Sequence, residues 1–152
     1  MVAQKNYFMT DNDLLQKAIN IATEAHKNQL DKYGAPYLEH VTRVMNMGRT
    51  NDEKIIGVLH DVVEDTEWTF ELLIKEGFPN KIISALQCVT KKSENEDYDS
   101  FVERTKTNAL AIKVKLNDLT DNMDIRRMPE VKEEDIARLN KYLKAYRELL
   151  GC

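Results

Sequence analysis

His60-Asp61 is followed by Glu64 and Asp65, so one histidine and three acids close an otherwise apolar run, Ile55-Ile56-Gly57-Val58-Leu59. On a helix, residues four apart share a face, which pairs His60 with Glu64 and Asp61 with Asp65. Charge gathered at the end of a core segment is unfavourable unless something compensates it. A divalent cation does so, and imidazole and carboxylate are ligands such an ion takes. A solvated acidic helix end would account for this stretch alone, but not for what flanks it. His40 lies on the helix before, and Asp118 sits late in an apolar helix after, with Asn122 one turn on and on the same face. His40, His60, Asp61 and Asp118 give one ion four protein ligands and leave positions for water and substrate in an octahedral shell. Mixed imidazole and carboxylate ligation suits Mn, Fe, Co or Zn better than Mg or Ca, which prefer oxygen throughout.

A bound cation lowers the pKa of its water and neutralises phosphoryl charge. Glu64 or Asp65, one turn past the ligands, is placed to hold or deprotonate that water. The sequence contains no motif for a Ser or Cys nucleophile and no Gly-rich phosphate loop. The chemistry left is metal-assisted hydrolysis, most naturally of a phosphate ester.

The elements that must position these groups read as helices throughout. Thr10 is an N-cap, and Leu14, Leu15, Ala18, Ile19, Ala22 and Ala25 recur at helical spacing to about residue 28. His26, near the end of that helix, reads as a packed, hydrogen-bonded residue. Gly34 breaks the loop that follows, and Pro36 opens a second helix carrying His40, with Val41, Val44, Met45 and Met47 on its apolar face. The third helix starts at Asp52-Glu53 and carries His60-Asp61. A fourth runs from its cap Thr69 to Glu76 and stops at Gly77; a fifth begins at Pro79. The polar segment 91–97 reads as a mobile surface loop. Helices over about 98–106, 109–123 and 132–150 follow, the last with Ile136, Leu139, Leu143, Tyr146 and Leu150 on one inward stripe. The expected architecture is an all-α, single-domain bundle of about eight helices, with an N-terminal arm over 1–9 and the domain over 10–152.

Composition narrows the class of function. The chain has 152 residues, 42% of them hydrophobic and 32% charged, as in an ordinary globular domain with a real core. Its net charge of −4 comes from interleaved acids and bases, so no nucleic-acid partner is expected. No apolar run approaches a membrane span, and the first residues lack a signal-peptide core, so the expected location is cytoplasmic. Cys88 and Cys152 lack partners at metal-site spacing and read as free thiols. The oligomeric state is open, a homodimer among the outcomes.

The order His40, His60-Asp61, Asp118 resembles the H…HD…D pattern of the His-Asp (HD) superfamily of metal-dependent phosphohydrolases. More narrowly, three segments are similar to the hydrolase domain of Rel/Spo-type alarmone enzymes. They are Ala25-His26…Gln29…Lys32…Gly34-Ala35-Pro36-Tyr37…His40, Leu59 to Thr66, and Val114-Lys115-Leu116-Asn117-Asp118…Asn122-Met123, within roughly residues 11–146. The resemblance implies removal of the 3′-pyrophosphate of guanosine tetra- or pentaphosphate, usually with Mn2+. It implies His40, His60, Asp61 and Asp118 as metal ligands, Glu64 and Asp65 as the acids that activate water, and Lys32 and Asn122 as nucleotide contacts. Tyr37, after the same Pro, packs the loop. In this reading the chain is a stand-alone hydrolase that only degrades its nucleotide.

Two positions depart from the family pattern. Asp31 stands where those enzymes commonly have Arg before the Lys32 position, and Asp124 where they commonly have Arg two after Asn122. A carboxylate there repels the anionic nucleotide that a guanidinium would clamp. Arg126, four past Asn122, is placed to compensate as a substrate contact with Arg127; equally, the two arginines cap the helix C-terminus. These departures motivate an alternative, a non-catalytic nucleotide-binding regulatory module that keeps the HD fold.

Overall fold

The computed structural model describes residues 8–152, so the expected arm over 1–9 falls outside the described residues except for exposed Phe8 and Met9. Helices begin where side chains satisfy free amides. Thr10 and Asp13 form a reciprocal capping box at α1 (Asp11–Ala25), and Thr50 and Glu53 repeat it at α3 (Asn51–Leu59). α2 (Tyr37–Met47) and α6 (Asn80–Val89) follow prolines, whose fixed φ suits a helix entry. α4 (Val62–Asp65) is one turn, and Thr69 caps α5 (Phe70–Lys75). Asp97 caps α7 (Tyr98–Thr105), Asn108 caps α8 (Ala109–Asn122), and a 3-10 turn at Ile125–Arg127 leads to α9 (Glu133–Leu150). Gly34 and Gly77 take positive φ, 85° and 98°, which is why loop and helix stop there. Among the described residues there is no strand beyond a single bridge between Leu30 and Pro36. The all-α expectation of about eight helices holds, because α4 is the tail of the expected third helix.

That tail is a correction with a purpose. α3 ends at Leu59, and residues 60–61 form a turn with Asp61 at φ −107°, ψ 0°. On a continuous helix, neighbouring side chains diverge by about 100°. The turn removes that divergence and points His60 and Asp61 at one place. The unbroken helix expected through 60–65 is thus interrupted, although the Asp65 amide still donates to the Asp61 carbonyl at 3.0 Å, the i, i+4 relation expected of that pair. α1 also stops early, at Ala25, with His26 as its C-cap.

α3 packs against α1, α2, α6 and α8. Ile55, Ile56, Val58 and Leu59 are buried with Ala18, Ala22, Val41, Val44, Ile82, Leu86 and Val114. A second cluster, Val102, Leu119, Ala145 and Leu149, joins α7, α8 and α9. α8 contributes to both, so Asp118 stands where the two cores meet. The stripe expected on α9 is rotated in part: Tyr146 packs on the second cluster and Leu139 is half-buried, but Ile136, Leu143 and Leu150 are exposed, while Asp135, Ala145 and Leu149 face inward. The inward face is set by the fit of Ala145 and Leu149 to α8 and by Asp135 turning toward Lys32, which apolar periodicity does not encode.

Gly57 lets α3 approach α2. A Cβ there would lie 3.2 Å from the Cα and N of Met45 and from the Val44 carbonyl oxygen, all backbone atoms that yield little. Gly57→Ala is expected to destabilise the fold by about 1–3 kcal/mol despite alanine's better helix propensity. Thermal denaturation checks this; an unchanged or raised Tm would show that the two helices part without strain.

Candidate metal centre

α2, the α3–α4 turn and α8 deliver His40, His60, Asp61 and Asp118 so that one ligand atom from each lies within 4.8 Å of the others. His60 Nε2 is 3.0 Å from Asp61 Oδ2 and 3.2 Å from Asp118 Oδ1. His40 Nε2 is 3.1 Å from the same Asp118 oxygen and 3.7 Å from Asp61 Oδ2. Both rings use Nδ1 elsewhere. His60 Nδ1 sits 2.6 Å from the Gly57 carbonyl oxygen, which only accepts, so Nδ1 carries a proton. His40 Nδ1 sits 2.6 Å from Asp121 Oδ2, which fixes the same tautomer. With one proton on each ring, both Nε2 atoms present lone pairs to two carboxylates. His40 Nε2 is buried without a hydrogen-bond partner. That donor set, held from behind by outer partners, fits a divalent cation.

The carboxylates are equally constrained. Lys115 Nζ, buried, donates to Asp118 Oδ2 at 2.8 Å, and Asn122 Nδ2 donates to Oδ1 at 2.9 Å. The i, i+4 pairing of Asp118 and Asn122 is as expected. Tyr37 OH donates to Asp61 Oδ2 at 2.5 Å, so this aromatic orients a carboxylate besides packing the loop. Arg43 Nε donates to Asp121 Oδ1 at 2.7 Å and completes a chain from Arg43 through Asp121 to His40. Arg43, Lys115 and Asp121 were not singled out from sequence. Their signal was there: Arg43 is three past His40, Asp121 three past Asp118, and Lys115 three before it, all on the faces of the named ligands.

Without metal, burial works against charge on His60, but Asp61 and Asp118 overcome it and raise its pKa well above 6.5. His40 is raised in the same way, burial being outweighed by Asp118 and Asp121. Asp118 is held well below the ordinary carboxylate range, Lys115 and His60 overriding its burial. Raised histidine pKa values stabilise the metal-free fold below the unfolded value, and that contribution is lost as pH rises through the folded values. A cation must displace those protons, so it binds more weakly in acid. The increase in Tm produced by Mn2+ is therefore expected to be larger near pH 8 than near pH 6. Thermal shifts across that range check it, and a pH-independent increment would mean the ion binds elsewhere.

Glu64 and Asp65 project from α4, exposed as residues but with carboxyl groups partly desolvated. Glu64 Oε1 accepts from the Lys91 amide at 2.9 Å, and Asp65 Oδ2 accepts from Gln29 Nε2 at 3.1 Å. Gln29 is itself fixed by His26 Nδ1 at 2.7 Å, so His26 is the packed, bonded residue expected. Partial desolvation and the Asp61 charge raise both carboxyl pKa values. The segment 91–97, expected to be mobile, is anchored: Lys91 binds Glu64, and Glu96 pairs with Arg104, which also donates to the Thr90 carbonyl. A cavity of about 950 Å3 opens beside Glu64, lined by Val63, Phe70, Cys88, Lys91 and Arg104 among others.

On the other side, a smaller cavity of about 220 Å3 is bordered by His40, Lys32 and Asn122. Arg126 does not line it; its side chain is 86% exposed and pairs with Asp124 at 2.8 Å. Arg127 does line it. The two departing acids are both engaged. Asp31 Oδ1 accepts from the Tyr33 and Ala35 amides at 2.8 and 2.9 Å, and Asp124 holds Arg126 and Arg127.

No family model matches the chain. It is 33% identical over 120 residues to a guanosine-3′,5′-bis(diphosphate) 3′-pyrophosphohydrolase of Aquifex aeolicus, across 72% of this chain and 17% of that protein. It is 41% identical over 68 residues to the guanosine-3′,5′-bis(diphosphate) 3′-pyrophosphohydrolase MESH1 of Danio rerio, across 40% of this chain and 38% of that one. The chain thus spans less than a fifth of the first relative's length and under two fifths of the second's. Among solved structures, one described as a metazoan ortholog of SpoT that hydrolyzes ppGpp superposes with a TM-score of 0.75 at 22% identity, covering 90% of this chain and 85% of that one. That likeness shows the fold. No helix among the described residues is long and apolar enough to cross a membrane.

Proposed function

The chain belongs to the HD-type hydrolase domains of the Rel/Spo-like enzymes, and from that premise we propose that it is a metal-dependent phosphohydrolase acting on a phosphorylated nucleotide, (p)ppGpp or a close relative, at the 3′-pyrophosphate. The observation that carries this reading is the convergence of His40, His60, Asp61 and Asp118 within 4.8 Å, with both Nε2 lone pairs turned inward. The ion we assign is Mn2+, with Fe, Co and Zn compatible with the same ligands. Free Cys88 and Cys152 fit the reducing cytoplasm proposed as its location.

When bound, such an ion supplies a polarised water and neutralises phosphoryl oxygen charge. The protein's residues do the rest. Glu64, helped by Asp65, orients and deprotonates water for in-line attack at phosphorus; its partly desolvated carboxyl takes a proton more readily than an exposed one. The Lys91 amide and Gln29 fix the two acids in place. Lys32 and Asn122 orient the nucleotide in the cavity beside His40.

A hydrolysis screen tests this. Mn-loaded protein is offered ppGpp, pppGpp, nicotinamide dinucleotide phosphates and ordinary nucleotides, with products separated by anion exchange. Release of pyrophosphate from ppGpp is expected. Turnover of another phosphate ester alone would move the substrate; binding without turnover of any would overturn the enzymatic reading in favour of a regulatory module.

A further inference from the structure

The inference rests on the nucleotide reading above and concerns which nucleotide the site prefers. Four cations line the cavity beside His40: Lys32, Arg43, Arg127 and Arg138. Each is already held by a carboxylate of the protein. Lys32 Nζ and Arg138 Nη2 both donate to Asp135 Oδ1, at 2.8 and 3.2 Å. Arg43 Nε is 2.7 Å from Asp121, and Arg127 is 3.3 Å from both Asp121 and Asp124. Asp31 adds a carboxylate that no cation among the described residues holds; its oxygen is fixed by backbone amides and it lines the same cavity.

Asp135 and Asp121 matter most because their side chains are only 3% exposed. The carboxylates are buried while the cations they hold stay partly exposed, Lys32 at 44% and Arg138 at 27%, so each acid is fixed in place and offsets its partner's charge in a solvent-screened pair. With the pyrophosphate directed at the His/Asp cluster, a nucleotide extending into this cavity meets a wall whose positive charge is cancelled. An additional phosphate there meets no free cation among the described residues and has carboxylates nearby.

We propose that Asp135, Asp124 and Asp31 make this cavity select against phosphate, so that among guanosine 3′-diphosphates the 5′-monophosphate is preferred to the 5′-diphosphate, and that to the 5′-triphosphate. Asp135 is the specificity-determining residue with the clearest test. Its Oδ2 also accepts from the Lys132 amide at 3.0 Å, a cap that an asparagine oxygen keeps, so Asp135→Asn removes charge with little loss of shape.

The experiment is calorimetric binding of the three guanosines to Mn-loaded protein, with Glu64→Gln used wherever turnover interferes, alongside kcat/KM for each. Dissociation constants are expected to rise by about twofold to fivefold per added phosphate, the scale of a solvent-screened charge pair. Asp135→Asn is expected to flatten or reverse the order by freeing Lys32 and Arg138. A flat or inverted series in the unmodified protein overturns the proposal. Equal weakening of all three by Asp135→Asn also does, since Asp135 would then be organising the cations for phosphate. The expected order without hydrolysis would support the selectivity and refute the hydrolase reading, which keeps the two separable. Failure to bind any of the three refutes both.

Discussion

Replacing Asp118 is expected to abolish metal binding and, with it, the proposed hydrolysis. Its Oδ1 lies close to both rings, 3.1 Å from His40 Nε2 and 3.2 Å from His60 Nε2, whereas Asp61 Oδ2 is 3.0 Å from His60 but 3.7 Å from His40. Alanine does more than delete a ligand. It leaves the buried Lys115 ammonium without its partner, and an orphaned buried charge costs about 3–5 kcal/mol. Asp118→Ala can therefore fail by unfolding, so Asp118→Asn is the informative variant. Asparagine keeps the volume and an oxygen for Lys115 but loses the charge that draws the cation. Wild-type protein is expected to retain about one Mn2+ per chain after dialysis; the Asn variant is expected to retain none and to lose at least about 10³-fold in kcat/KM, as removal of a Lewis acid predicts. Circular dichroism establishes that it is folded. A folded Asn variant that holds Mn2+ with unchanged affinity would remove Asp118 from the ligand set.

The clustered histidines and aspartates were legible because their types are rare in apolar helices. His40, His60 and Asp118 interrupt runs of Val, Ile and Leu at positions a periodic core would fill, and only a compensating charge makes such burial tolerable. Capping residues were legible for a similar reason: Thr10 and Thr69 meet the local needs of the helix they start. Features that failed to show depend on three-dimensional partners. The break after Leu59 is not written in propensity, since His60 and Asp61 are unremarkable helix residues; it follows from the need to aim two adjacent side chains at one point. The α9 stripe was partly misplaced because Ile136, Leu143 and Leu150 satisfy helical periodicity as well as the set that is buried. What decided between them was a polar contact, Asp135 with Lys32, across more than a hundred residues of chain. The same holds for Arg43, whose partner Asp121 lies on a helix that periodicity alone does not place beside α2.

Glu64→Gln is expected to leave the metal in place and remove most of the rate. The substitution is nearly isosteric, and the amide oxygen still accepts from Lys91, so the 91–97 segment stays anchored to α4. What disappears is the basic site. If Glu64 takes the proton from the attacking water, kcat falls by about 10²–10⁴-fold, with KM and bound Mn2+ close to wild type. The pH profile separates this from a positioning effect. Desolvation raises the Glu64 pKa, with Asp61 and Asp65 adding to it against the Lys91 amide, so the base is protonated up to a higher pH than an exposed glutamate. A general base works only when deprotonated, so kcat in the wild type should rise with pH through that elevated pKa and then level. The residual activity of Glu64→Gln should lack that rise. Asp65→Asn is the control: it is bonded through Gln29 rather than Lys91, and its loss should lower kcat less while keeping the rise. A Glu64→Gln enzyme with full kcat, or one whose acid limb is unchanged, would hand the role of base to Asp65.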